Sequence, residues 1–298
     1  MRILSIIANL YFGNAQEDMK KYLLLFALSL FVLGTTAIYQ YAKYTDKKLH
    51  ITFCNVGQGD SIFIRTPQGA DILIDGGPAS NVLDCLANHM PFWDRDIEII
   101  YLTHPDADHL TGLIDVFEKY NVLYFGTSDA PKDTDVFKQL NQHIAMESIK
   151  KNFIYRGDSV KLSDGVAIKT LWPTVEYTHS GEEDTNNYSL TQDLSYGSFH
   201  VLLTGDIPFQ ILNSIMPTLT DIDVFKPPHH GSKTGVDEYT FQHILPKAAV
   251  ISVGKKNRYG HPNNGVLGIL QQNNIPYYRT DEMGDIEFVT DGKTWKIK

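Results

Sequence analysis

The segment Thr103-His104-Pro105-Asp106-Ala107-Asp108-His109 sets four side chains able to bind a metal ion, His104, Asp106, Asp108 and His109, in one short run. Imidazole and carboxylate together suit zinc, manganese or iron, and a carboxylate where a further imidazole could stand shifts the preference towards harder ions. A helix cap would account for Asp108 alone. The mostly apolar run Ile97 to Leu102 precedes the segment, and Leu110, Leu113, Ile114 and Phe117 follow it at helical spacing. A buried strand therefore ends here and a helix begins, so that the ligand groups converge on the lip of a sheet.

Three further sites share that position. Asp206 follows Val201-Leu202-Leu203-Thr204-Gly205, where it is a ligand or a cap for the next helix. His229-His230 stands between Pro227-Pro228 and Gly231-Ser232-Lys233-Thr234, a rigid loop that presents imidazoles. Asp60 and Asp75 border the first strands as turn residues or ligands.

The elements that must position these groups alternate along the chain. Strands are expected at Ile51 to Val56, Ser61 to Thr66 and Asp71 to Asp75, then a helix around Asn81 to His89, the metal loop with its helix, and a strand at Val122 to Phe125. A polar helical stretch covers Asp133 to Lys150. Strands follow at Ala167 to Trp172, Ser189 to Tyr196, Phe199 to Thr204, Asp223 to Phe225 and Ala248 to Val253, with helices at Asp237 to Leu245 and Val266 to Gln272. Short strands at Pro276 to Arg279, Ile286 to Val289 and Thr294 to Ile297 close the chain. Strands followed by helices in each half predict two sheets packed face to face with helices outside.

A length of 298 residues with 43 % hydrophobic and 20 % charged residues describes a folded protein with ample length for a core. The net charge of −9 gives no overall basic footprint for tight nucleic-acid binding, although bound metal ions would supply local positive charge. Cys54 and Cys85 lie in apolar stretches and read as buried thiols, with one disulfide as the alternative if the domain is exported. From Tyr22 to Ala42 no charge interrupts an apolar run, and Lys20 and Lys21 stand directly before it. That pattern predicts a membrane-spanning segment with a cytoplasmic N-terminus. An uncleaved anchor is preferred over a signal cleaved near Thr35-Thr36-Ala37, and a buried core helix is the third reading. Met19 is then a candidate initiator, with residues 1–18 outside the natural product. The division expected is an N-terminal segment, residues 1–42, and one domain, residues 43–298.

Taken together the motifs resemble the metallo-β-lactamase superfamily, and within it the hydrolase domain of ComEC-type competence proteins. The matching pieces are Asn55-Val56-Gly57-Gln58-Gly59-Asp60-Ser61, Ile74-Asp75-Gly76-Gly77, His104-x-Asp106-x-Asp108-His109, Asn186-Asn187-x-Ser189-Leu190, Leu203-Thr204-Gly205-Asp206, His229-His230-Gly231-Ser232-Lys233-Thr234 and Tyr259-Gly260-His261-Pro262. The resemblance implies an α/β fold, an αββα sandwich of two mixed sheets flanked by helices, with two divalent ions, zinc or manganese, on one edge. It implies His104 and Asp106 at one metal position and Asp108, His109 and His230 at the other, with Asp206 bridging and His229 nearer the substrate. Two departures stand out. Asp106 replaces the usual His, and the later strand that should bring a further His starts at Asn187, a poor ligand; His179, nearby in a polar loop, is a weak substitute. Full ComEC-type proteins also carry a polytopic channel, whereas this chain has at most one span.

The activity implied is hydrolysis of a phosphodiester, foremost in DNA, by a metal-bound hydroxide outside the cytoplasm of a bacterial cell. Asp108 and His229 fall at the reacting centre and His261 is placed to protonate the leaving group. Asn187, Ser232, Lys233 and Thr234 would meet the substrate. The alternatives are an extracellular phosphocholine esterase or other small-ester phosphodiesterase, and a membrane-tethered metal-binding protein without turnover. A lactonase or β-lactamase fits the Asp106 variant less well. Beyond the nucleic acid or phosphodiester and the membrane, no protein partner is evident.

Overall fold

A computed structural model describes residues 2–216, 219 and 221–298, with side chains from residue 17 onward. Met1, on which the alternative start at Met19 turns, lies outside the described residues. The backbone divides after Asp46, and a second compact unit runs Lys47–Lys298. The first unit is one helix, Arg2–Tyr44. Its stretch Glu17–Tyr44 is long and apolar enough to cross a membrane, with a mean hydropathy of 2.0. None of that stretch is buried, which removes the reading as a core helix.

The second unit is a four-layer α/β sandwich. Among the described residues the first sheet has eight strands, in the spatial order Trp295–Ile297, Ile286–Thr290, Leu49–Phe53, Ile62–Arg65, Asp71–Ile74, Ile99–Leu102, Tyr124–Thr127 and Lys150–Phe153. The second has seven: Tyr277–Arg279, Ala248–Ile251, Val224–Phe225, Phe199–Leu203, Thr191–Tyr196, Ala167–Trp172 and Ser159–Lys161. Pairing from Asp71–Ile74 through Lys150–Phe153 is parallel, as it is from Phe199–Leu203 through Tyr277–Arg279. The remaining pairs in both sheets are antiparallel. The last two strands return to the first sheet, where Leu49 pairs with Thr290.

Period-two alternation sorts the strand residues between layers. Ile62, Ile64, Ile72, Ile74, Ile99 and Tyr101 face Ile168, Leu194, Val201, Leu203, Val224 and Val250 between the sheets. Phe63, Leu73, Ile100 and Leu102 point the other way, against helices Asn81–His89, Ala107–Lys119 and Asp135–Met146. Leu202, Phe225, Ala249 and Ile251 likewise meet helices Phe209–Ile215, Glu238–Ile244 and Asn264–Gln272. Three apolar layers result, each closed by alternate residues of the same strands.

Three readings of the sequence change. Cys54 and Cys85 are joined in a disulfide rather than left as thiols, with Cα atoms 5.8 Å apart, a separation a bridge accommodates. Asn187 does not open a strand: Thr185–Tyr188 forms a 3-10 turn and the strand starts at Thr191. The polar stretch read as one helix to Lys150 is the helix Asp135–Met146 followed by the edge strand Lys150–Phe153, because Lys150, Asn152 and Phe153 stay exposed and carry no apolar periodicity.

Candidate metal centre

Parallel strands in both sheets deliver their carboxyl ends to one rim of the sandwich, the place where α/β sheets open a binding crevice. Ile99–Leu102 leads to His104, Asp71–Ile74 to Asp75, Phe199–Leu203 to Asp206 and Val224–Phe225 to Lys226 and His230. The helix Ala107–Lys119 begins at this rim, and its N-cap position is held by Asp106, not Asp108. Glycines bring its first turns close to the neighbouring loops. A Cβ on Gly59 would lie 2.1 Å from the Asp108 carbonyl oxygen, and one on Gly112 equally close to that of Gly76.

Each imidazole at the rim is held by one nitrogen. His109 Nδ1 lies 2.7 Å from Asp75 Oδ2, and the Asp75 carboxylate also accepts from Thr103 N and Oγ1, both at 2.7 Å. His230 Nδ1 faces the Ser252 carbonyl at 3.0 Å. His104 Nδ1 sits 3.1 Å from Ser189 Oγ and 3.0 Å from Thr103 Oγ1. The opposite nitrogens, Nε2 of His104, His109 and His230, are buried without a hydrogen-bond partner, and so is Asp206 Oδ1. His109 Nε2 lies 3.3 Å from Asp206 Oδ2, and His230 Nε2 lies 3.4 Å from Asp108 Oδ2 and 3.5 Å from Asp206 Oδ2. Buried polar atoms are ordinarily paired. Four bare ones within reach of one another form a candidate donor set for a cation, with the second nitrogen of each ring oriented from behind as in metal-ligating histidines.

Two overlapping triads have donor atoms close enough for one ion each: His104, His109 and Asp206, and Asp108, His109 and His230. Asp60 adds a third carboxylate beside His230 and Asp206. It is fully buried and forms an ion pair with the equally buried Lys226, whose ammonium donates to the Gly205 carbonyl at 3.2 Å. Asp106 joins none of these groups. Its Oδ1 accepts from Lys132 Nζ at 2.8 Å and from Thr185 Oγ1 at 2.5 Å.

Burial opposes charge throughout this cluster, and opposite charges override it for most groups. His230 and His109 hold the Asp206 carboxyl well below its usual range. Against the same burial, His230 and His109 bring Asp108 down to about 2. Asp206 and Asp75 raise His109 well above the ordinary imidazole value, and Asp206 and Asp60 raise His230 to about 10. His104 goes the other way, lowered by burial and by neighbouring His109. Imidazolium protons thus balance the carboxylates, a role a divalent cation takes over when it binds.

The remaining expected residues border the cluster. The His229 ring centroid is 5.5 Å from that of His261, which is 6.4 Å from His230. Burial together with His229 and His230 pushes His261 down to about 4. Ser232 Oγ and Thr234 Oγ1 bond each other at 2.9 Å, while Lys233 is exposed. Asn187 contributes its carbonyl to Trp172 Nε1 at 2.7 Å. His179 bonds the Val175 carbonyl and lines an open depression of about 840 Å³ with Lys132, Glu182 and Tyr188. Ser189, Lys226, Lys132 and Thr185 were not singled out from sequence. Ser189 lies inside a matched motif, and a lysine three residues before a His pair is the available hint for Lys226.

No family model matches the chain. It is 32 % identical over 263 residues to ComE operon protein 3 of Bacillus subtilis, covering 80 % of this chain and 32 % of that protein. It is 33 % identical over 222 residues to Recombination protein 2 of Haemophilus influenzae, covering 73 % and 26 %. The chain thus spans about a third or less of the length of these curated relatives. Among solved structures, the metallo-β-lactamase fold protein YhfI from Bacillus subtilis matches with a TM-score of 0.55 at 11 % identity, over 84 % of this chain and 100 % of that one. Igni18, a metallo hydrolase from Ignicoccus hospitalis, matches with a TM-score of 0.56 at 14 % identity, over 80 % and 98 %. The chain therefore has the metallo-β-lactamase fold, and over most of its length its sequence resembles part of ComE operon protein 3 and of Recombination protein 2.

Proposed function

We propose that the chain is a metal-dependent hydrolase of phosphodiesters, acting on nucleic acid outside the cytoplasm and tethered by its N-terminal helix. The observation that carries this reading is the set of four bare, buried donor atoms on His104, His109, His230 and Asp206, with the half-exposed Asp108 carboxylate at their open side. His104, Asp206 and Asp106 would serve one ion and Asp108, His109 and His230 another, with Asp206 shared; zinc and manganese suit these donors. For Asp106 to take part, its carboxylate must leave Lys132 or share it. Bound divalent ions make a coordinated water more acidic and offset negative charge at phosphate oxygens.

The chain's own residues do the positioning. Asp75, Ser252 and Ser189 fix the three rings so that each directs Nε2 inward. Exposed Lys233 would contact a phosphate, and Ser232 and Thr234 shape its turn. His261, held neutral near pH 7, can hand on a proton only after taking one up, so its part would be to accept a proton at the rim before delivering it to the leaving oxygen. The name of one relative, Recombination protein 2, points to DNA handling, and the disulfide fits an oxidising compartment.

The test is a screen of metal-loaded full chain against DNA, RNA, a nitrophenyl phosphodiester and a phosphocholine ester. Cleavage of DNA that Asp108→Asn abolishes supports the reading. Hydrolysis of a different ester with no nucleic-acid cleavage by fully metallated protein overturns the substrate.

A further inference from the structure

The loop that follows the strand Ala248–Ile251 borders the rim over residues 254–262, and the site described above takes in only its His261. Asn257 folds this loop into a fixed turn. Its Nδ2 donates to the Gly254 carbonyl at 3.0 Å and to the His261 carbonyl at 2.6 Å, while its Oδ1 accepts from Tyr259 N at 3.2 Å and from His261 N at 3.0 Å. Both ends are tied to loops that carry residues of the site. Gly254 N donates to Gln58 Oε1 at 3.1 Å, two residues before Asp60, and Asn263 N donates to the Gly231 carbonyl at 2.9 Å, in the turn of His229 and His230.

The turn leaves an aromatic ring in solvent. Tyr259 is 55 % exposed, although its ring stacks on His261 with centroids 5.8 Å apart and planes at 26°. Arg258 sits against the same ring, its Cζ 5.1 Å from the centroid, and its Nη2 donates to Tyr259 Oη at 3.0 Å. His261 in turn lies 5.5 Å from His229 and 6.4 Å from His230, so a series of rings leads from the rim to solvent.

Charge follows the same course. The chain has a net charge of −9, yet residues 239–280 include Lys247, Lys255, Lys256, Arg258 and Arg279 and no Asp or Glu. Lys247 and Arg279 are paired with carboxylates outside that stretch. Lys255, Lys256 and Arg258 are exposed and enter no ion pair among the described residues, and the same holds for Lys233 on the adjoining turn. Surface lysines alone would serve solubility. Cations interleaved with an exposed, already stacked ring are the composition of a single-strand binding surface.

We propose that this loop binds a single strand of nucleic acid beside the metal centre, with one unpaired base stacked on Tyr259 and neighbouring phosphates on Lys255, Lys256, Arg258 and Lys233. This rests on reading the rim as a nucleic-acid hydrolase and narrows its substrate. A base reaches the ring only when it is out of a duplex, so the surface selects single strands over paired ones. Local attraction of this kind also lets a chain of net negative charge hold a polyanion.

The probe is a fluorescein-labelled oligothymidine, with its matching duplex as comparison. Each is titrated with metal-loaded full chain carrying Asp108→Asn, so that the strand is bound without being cut, and anisotropy is read across a salt series. The single strand is expected to bind more tightly than the duplex. Tyr259→Ala is expected to weaken single-strand binding roughly 5- to 150-fold, and Tyr259→Phe to retain it. Lys255→Gln, Lys256→Gln and Arg258→Gln together are expected to reduce the slope of log affinity against log salt by about 2. Metal content and thermal midpoint of each variant separate these effects from misfolding, and Tyr259→Leu repeats the test should Tyr259→Ala lose its fold. Duplex bound as tightly as the single strand, or Tyr259→Ala binding like its parent, overturns the single-strand surface; the hydrolase reading stands if the wild type still cleaves DNA. Ester hydrolysis by metal-loaded wild type with no cleavage of nucleic acid overturns both.

Discussion

Asp75 and His109, thirty-four positions apart, meet at 2.7 Å in the buried rim, the carboxylate Oδ2 against the imidazole Nδ1. The contact fixes the ring so that Nε2 points towards Asp206. Asp75→Asn keeps the shape and removes the charge behind the ring. Metal affinity is expected to fall about 10–100-fold, as for other carboxylates that support a ligating His. Competition with a chromogenic chelator measures it, and an unchanged affinity would show that Asp75 only braces Thr103.

The imidazolium protons give the metal-free protein a defined pH response. His230 is raised from 6.5 to about 10 in the folded state, so the stability it contributes is full below pH 6.5 and drains away as pH rises towards 10. His109 acts in the same direction. Metal binding must displace these protons, so affinity is expected to climb between pH 7 and 10, with proton release on binding. Calorimetry in buffers of differing ionisation enthalpy reads the release, and thermal unfolding of metal-free protein reads the stability. Metal-free protein that gains stability across that range would contradict the ion-pair arrangement.

The disulfide between Cys54 and Cys85 ties the end of the first strand, just before the loop to Asp60, to the helix Asn81–His89. It closes a loop with a sequence separation of 31. By the chain-entropy account, removing such a closure costs about 3–4 kcal/mol. Cys54→Ser paired with Cys85→Ser is expected to lower the unfolding midpoint by roughly 10 °C. Differential scanning calorimetry under oxidising and reducing conditions provides the comparison; equal midpoints would mean that the thiols are free in solution.

Gly112 lies inside a helix, where glycine is ordinarily unfavourable, because the turn at Gly76 packs against it. A methyl group there would stand 2.1 Å from the Gly76 carbonyl oxygen. Gly112→Ala should cost about 1–3 kcal/mol. It should also weaken metal binding, because Gly76 N bonds the His109 carbonyl at 2.6 Å and movement of the turn shifts that ligand. Chemical denaturation and metal titration of the same variant test both effects.

Lys132 holds Asp106 through a half-exposed ion pair. Lys132→Met frees that carboxylate, and the number of ions bound per chain is expected not to fall. Native mass spectrometry counts them. A fall in occupancy would mean that Lys132 supports the site rather than competing for Asp106.

Chemistry was legible in the sequence wherever it was local. The spacing of His104, Asp106, Asp108 and His109 pointed to a candidate ligand loop at a strand end, and the helix Asn81–His89 has the bounds its apolar pattern indicated. Strands followed by helices in each half foretold two sheets with helices outside. Edge strands such as Ser159–Lys161 escaped because their solvated faces carry no apolar period. Partnerships across the chain were illegible for a different reason. Asp60 and Lys226 form their buried ion pair only once the two sheets pack, and Ser189 reaches His104 only because a 3-10 turn, not a strand, precedes it. The sequence by itself determined which residue types could bind metal and at which strand ends they stand. The tertiary structure decided which atoms are left bare to do so: packing selects one nitrogen of each ring for a protein partner, ties Asp106 to Lys132, and leaves the other donors facing one another.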